Sequence, residues 1–231
     1  MLNIGDFKRD RAIFEVRYPK NLLFWDRVGQ VWDKVAEIFP DEIPTLVDPN
    51  RTQFEAGSFL LYVDNDQLRS TAKDDVTNRV FTKSTSDFMR AVINVLGISV
   101  YQRIGFRQIW TKEYKTIEET VDAYESVKIS KSCSDIFSVN KRASAYNTLV
   151  QWEGKTLGAS LSVRTERRKQ EVQVPWEVRS LVKVESLEKF YLVIDVDYFT
   201  TVTLNNEQFN AGEWIRSAHK QVSEKVDSEV L

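Results

Sequence analysis

The sequence predicts an α+β fold: a curved, mainly antiparallel sheet packed by helices and closed by a C-terminal helix. Three observations predict it. Segments near residues 12–18 and 99–112 alternate apolar and polar side chains with the period of a half-buried strand. Other stretches carry apolar residues at helical spacing. Hairpin signals join several strands without the regular strand-helix-strand alternation of a parallel sheet. The 231 residues include only eight glycines and five prolines, fewer than average usage, so long regular elements are expected to dominate.

In chain order, AIFEVRY at 12–18 puts Phe14, Val16 and Tyr18 on one face of a strand and Ile13, Glu15 and Arg17 on the other, and Pro19 ends it. From Phe24 the period becomes helical: Phe24, Val28, Val31, Val35 and Ile38 share a face, flanked by Trp25, Trp32 and Phe39, up to Pro40. Pro44 and Pro49 mark 41–50 as a loop. Residues 54–63 and 67–73 flank the turn-like Asp64-Asn65-Asp66 and form a hairpin. A helix over 84–96 buries Phe88, Met89, Val92, Ile93 and Leu96, with Gly97 placed to close it. The strand over 99–112 sets Ile104, Phe106 and Trp110 against Tyr101, Arg103, Gly105 and Arg107 on its opposite face. Thr116 and Glu119 have capping-box spacing before a third helix that reaches about Val127.

Residues 128–142 are rich in Ser and Lys and form the best internal boundary, either a domain linker or a crossing loop. The crossing loop is favoured because the remainder lacks a complete core of its own, so residues 1–231 are expected to make one α+β unit. Strands at 146–152 and 156–165 flank Glu153-Gly154-Lys155 as a hairpin, and 187–203 is the strongest strand of all. Asn205 and Asn206 lead into a final helix over 208–226 whose Ile215, Ala218, Val222 and Val226 share a face, with a solvated or frayed acidic end.

Composition excludes several function classes. Lys and Arg number 32 against 34 Asp and Glu, and a net charge of −2 is too small for attraction to nucleic acid or anionic membrane to organise the molecule. Cys133 is the sole cysteine, so no disulfide forms within the chain, and it reads as a free surface thiol. With His219 the sole histidine, zinc fingers and HExxH proteases lack their ligands, and a histidine-based triad would have to use His219. That residue reads as a packing histidine on the last helix. No apolar run approaches the roughly 20 residues of a membrane-spanning helix. MLNIGDFKRDR at the N-terminus lacks a signal-peptide core, so a soluble, cytoplasmic protein is expected.

Four stretches carry a family resemblance: AIFEVRYP at 12–19, YQRIGFRQIW at 101–110, LVIDVDYFT at 192–200, and the terminal helix with Trp214 and His219. They resemble a group of uncharacterised, sporadically distributed bacterial proteins of about this length. That family shows an alternating strand with an acidic residue and an arginine, an R-I-G-x-R strand, and a D-x-D strand before a closing helix. Its pattern continues into a Tyr-Asn pair where this chain has Gln108 and Ile109. The resemblance implies a bacterial α+β unit and no particular activity.

Asp195 and Asp197 point to one side of their strand and could present oxygen ligands to Mg²⁺, although no further carboxylate pair accompanies them. Arg103 and Arg107 share one face of theirs, and Arg17 lies with Glu15 on the first strand. A guanidinium fork suits carboxylate and phosphate equally, so these arginines form either an internal ion ladder, which is favoured, or an anion site. Arg164, Arg167 and Arg168, with Lys169, form the most basic stretch and read as a solvated hairpin tip or loop rather than a nucleic-acid grip. With Trp176 beyond them, they are also the candidate contacts for a partner protein.

The leading reading is a non-enzymatic protein-interaction or ligand-sensing module with no cofactor. Its expected partner is another protein, with one encoded nearby as the candidate, rather than nucleic acid or membrane. One alternative is a metal-dependent phosphohydrolase or nuclease using Asp195 and Asp197. The other is a small-ligand binder with a cavity between the sheet and the terminal helix.

Overall fold

A computed structural model describes residues 2–48, 50–129, 145–170 and 187–231. In chain order the main elements are β1 (Lys8–Arg17), α1 (Leu23–Ile38), β2 (Ile43–Asp48), β3 (Arg51–Ala56), β4 (Phe59–Asp64), β5 (Gln67–Lys73) and α2 (Asn78–Leu96). There follow β6 (Val100–Tyr101), β7 (Arg103–Tyr114), α3 (Ile117–Glu125), β8 (Asn147–Glu153), β9 (Leu157–Gln170), β10 (Leu187–Thr200), β11 (Leu204–Asn205) and α4 (Ala211–Lys225). A π-helical turn, Val226–Val230, continues α4.

Among the described residues, nine strands make one open antiparallel sheet in the order β2-β3-β4-β5-β1-β7-β10-β9-β8, and β6 and β11 form a separate two-residue ribbon. The fold is therefore α+β, as the alternation and hairpin signals predict. The order is nearly palindromic. A long strand, a helix, a meander and a second helix (β1, α1, β3–β5, α2) are followed by the same succession (β7, α3, β8–β10, α4), and the two long strands pair at the centre.

All four helices pack on one face. Register aligns Thr52, Val63, Leu68, Val16 and Ile104 on that face, and α1 meets it where the Trp32 indole N–H donates to Thr52 Oγ1 at 3.2 Å. Helix α2 meets it through the buried Ser70–Thr85 hydroxyl pair at 2.9 Å. Tyr124 of α3 bonds the Thr148 hydroxyl, and Trp214 of α4 packs 5.8 Å from Phe14. Period-two burial in β1 and β7 supplies the floor, with Phe14, Val16, Ile104 and Phe106 all at 1% exposure or less. Removing these side chains from water supplies roughly 1.5–3 kcal/mol each.

Local chemistry sets the boundaries. Thr77, Thr116 and Asn210 each accept a bond from the backbone N–H three residues on, which starts α2, α3 and α4. Gly97 at φ 62° ends α2. Helix α2 begins six residues before its predicted start. The span 54–63, read as a single strand, is divided by a turn at Gly57, whose φ of 58° favours glycine. The predicted loop at 41–50 contains β2, an edge strand that tolerates Pro44. No described helix is long and apolar enough to cross a membrane.

Candidate functional site

The sheet face opposite the helices carries the arginines and aspartates singled out in the sequence. β7 pairs with β1 on one side and β10 on the other, opposing Gly105 to Glu15 and Arg107 to Asp197. Arg107 grips Asp195 with both prongs, Nε to Oδ1 and Nη2 to Oδ2, each at 2.7 Å. Arg164 on β9 adds a third contact to Asp195 at 3.3 Å. Arg103 bridges Asp197 at 2.6 Å and Glu15 at 3.1 Å, with its guanidinium 4.6 Å above the Phe199 ring. Arg17 reaches Glu15 at 2.7 Å, and the Gln67 amide donates to the other Glu15 oxygen at 2.7 Å.

Gly105 makes this arrangement possible. A Cβ at that position would stand 2.5 Å from Arg103 Nη1, so the guanidinium lies across the glycine to reach both acids. The shallow recess above it, about 130 Å³, is bordered by Arg17, Arg69, Arg103 and Arg107 and by two acids, Glu15 and Asp197. Desolvation lifts the Asp197 carboxyl above the usual carboxylate range despite the opposing pull of Arg103. The Asp195 hydrogen bond raises the affinity of Arg107 for its proton. Chemically this is an ion ladder. Both oxygens of Asp195 and one of Asp197 are committed to guanidinium groups, and no group of three His, Cys, Asp or Glu side chains among the described residues is arranged to hold a metal ion.

The basic stretch does not sit at a hairpin tip. Arg164, Arg167 and Arg168 lie within β9, and strand alternation divides them. Arg164 joins the ladder, and Arg168 bonds Glu166 at 3.1 Å with its guanidinium 4.7 Å from the Tyr191 ring. Arg167 points to the other face and pairs with Glu188. Trp176, Cys133 and most of the 128–142 boundary lie outside the described residues.

Among the described residues β2 and β8 form the two edges of the sheet, and they differ. β2 carries Pro44, a register shift between Pro44 and Leu46, and Asp48, all devices that blunt an edge. β8 (NTLVQWE) pairs with β9 in unbroken register and carries no proline, lysine or bulge. Leu149 is 58% exposed on one face and Trp152 50% exposed on the other. Inside Trp152, between the sheet and the end of α4, lies an apolar recess of about 270 Å³ walled by Leu161, Val196, Tyr198, Val222, Val226 and Val230.

The chain matches no family model and no curated protein.

One polar cluster escaped the sequence reading. Arg9 bonds the carboxamide oxygen of Asn78, the Asn78 nitrogen meets His219 Nε2, and His219 Nδ1 lies 3.2 Å from the buried Gln108 Oε1 and 3.1 Å from Ser223 Oγ. These contacts fit a neutral ring with the proton on Nδ1. Burial, reinforced by Arg9, holds the imidazole below its ordinary value. Gln108 is 1% exposed on the helix face of β7. Its position opposite Ala12, within an apolar alternation, was the available signal of a buried polar partner.

Proposed function

We propose that the protein is a non-enzymatic interaction module that binds an extended segment of another protein along the outer edge of β8. This edge, which pairs with no further strand among the described residues, carries the reading. β8 offers its outer backbone groups to a further strand, and strand addition draws affinity from the main chain and specificity from alternate side chains. Glu153 is the only charged residue in β8. The segment that fits is therefore uncharged, with apolar side chains on both faces to cover Leu149 and Trp152. The commitment of Asp195 and Asp197 to arginines supports a module without metal chemistry.

The test is to pan a random decapeptide display library against the wild type and against the exposed-site variant Leu149→Lys/Trp152→Lys. Apolar alternating peptides that bind only the wild type and slow hydrogen exchange in β8 are expected. Failure to enrich peptides, equal binding to the variant, or a wild-type dimer abolished by the variant would overturn binding to a separate partner. The dimer would reassign the edge to self-pairing.

The recess beneath α4 favours a second reading, a sensor for a small apolar ligand. Its volume approaches the roughly 300 Å³ lower end of ligand pockets. Linear alcohols of increasing length should then raise the melting temperature of the wild type, with no rise in Val226→Trp, where the indole fills the space. Equal responses would remove this reading.

A further inference from the structure

The cleft between α2 and α4 has a charge arrangement that neither the ion ladder nor the β8 edge uses. It encloses about 630 Å³. Arg79 and Lys83 stand one turn apart on the α2 wall, and Arg216 and Lys220 stand one turn apart on the α4 wall. Asp87 is the only acid lining the cleft. Lys83 reaches it at 3.6 Å, and Lys220 reaches Glu224 at 3.9 Å, both long exposed contacts that neutralise little. Arg79 and Arg216 have no carboxylate partner among the described residues and are exposed. A local excess of four cations over one anion thus occurs in a chain whose net charge is −2.

The floor is polar and held in place. Asn78 is clamped between Arg9 and His219, while the Ser86 hydroxyl has no partner among the described residues and is available to donate. Gly212 lets the helices approach beside Ser86, since a Cβ there would lie 3.2 Å from Ser86 Oγ. The Asn78 end also lies at the positive pole of a 19-residue helix. From Arg79 to Asp87 the wall is about 12 Å long at 1.5 Å per residue, the scale of a small molecule rather than a nucleic-acid strand. No aromatic side chain lines it apart from His219, so bases would find little to stack on.

We propose that this cleft binds a small ligand bearing two or more phosphates, which Arg79 and Arg216 grip from opposite walls with Lys83, Lys220 and Ser86 completing the cradle. Guanidinium forks recognise phosphate oxygens in pairs, and two unpartnered ones facing a common cleft suit a diphosphate better than a single small anion.

The single histidine provides the probe, because its ring protons form the only imidazole signals of the untagged chain. Pyrophosphate would be titrated into the full chain at physiological salt near pH 7 while the His219 resonances are followed. A saturable shift with a Kd below about 1 mM is expected, weakened at least tenfold in Arg79→Gln/Arg216→Gln, whose exposed substitutions leave the core intact. No saturable shift by roughly 10 mM, or an equal shift in the double variant, would overturn the proposal. An oligothymidylate binding more tightly than pyrophosphate would also overturn it, in favour of a nucleic-acid groove.

Discussion

Arg107 and Asp195 meet through two parallel N–H to carboxylate bonds, and Asp195 is 6% exposed, so the pair is held where water competes poorly. Asp195→Asn should lower stability by about 1–3 kcal/mol, less than a fully buried pair loses, because Arg107 can be rehydrated. Mg²⁺ or Mn²⁺ should leave the wild-type melting temperature unchanged, since a ligand stabilises only the state it binds; a metal-dependent rise lost in Asp195→Asn would restore the metal reading. Gly105→Ala and Arg103→Met should each cost roughly 1 kcal/mol and be non-additive together, because both remove the guanidinium from the same two acids. Denaturant melts of the four proteins measure that coupling. His219 has a folded pKa below its ordinary value, so its contribution to stability is present above about pH 6.5 and is lost as pH falls through the depressed value. His219→Asn should therefore flatten the stability profile between about pH 7 and 5. At this scale the ladder was legible, because period-two alternation puts Arg103 and Arg107, and Asp195 and Asp197, on common faces whatever the pairing. The Asn78–His219–Gln108 cluster was not, since its members lie on three elements up to 141 residues apart and meet only through tertiary packing.

Helices and strands with one apolar face were readable to within a few residues, and the misread elements have identifiable causes. The hydroxyls of Ser84, Thr85 and Ser86 look like a helix start, yet α2 begins at Asn78 behind the Thr77 cap, and Thr85 sits inside it, buried against Ser70. β2 was hidden by Pro44, whose missing N–H matters little on an edge. The acidic tail of the last helix was expected to be solvated or frayed. Asp227 and Glu229 are exposed, but the π-helical turn places Val226, Val230 and Leu231 in the core, and Asp227 accepts from the Ile4 backbone N–H at 2.9 Å. The Lys128 backbone N–H donates to the Val230 carbonyl at 2.9 Å, tying the tail to the chain beyond α3. Val226→Ala should consequently cost roughly 2 kcal/mol through lost burial and the space left behind, whereas Glu224→Ala should change stability by under about 0.5 kcal/mol. Comparable losses in urea melts would mean that the tail does not contribute to the core.

The repeated strand-helix-meander-helix arrangement went unread because the two halves share an order of elements rather than lengths: α1 runs for 16 residues and its counterpart α3 for 9. Its consequence appears only when β1 and β7 are seen side by side. Within the second half β10 pairs with β7 in ten consecutive register pairs, while α4 packs on α2 of the first half through Gly212 and the His219–Asn78 contact. Strands on both sides of residues 130–144 thus belong to the same sheet. A chain divided within that segment would leave one piece with β7 as an open edge and the other with β10 exposed and α4 stripped of its neighbour. Each piece alone should lack a cooperative thermal transition, because it loses both a strand partner and an apolar cover. Co-expressed, the two should purify together and melt as one, at a lower temperature than the intact chain because association now brings an entropic cost. Circular dichroism of the separate and co-purified pieces decides the matter. A native-like transition in either piece by itself would mean that the two pieces are independent units joined at the β7–β10 seam.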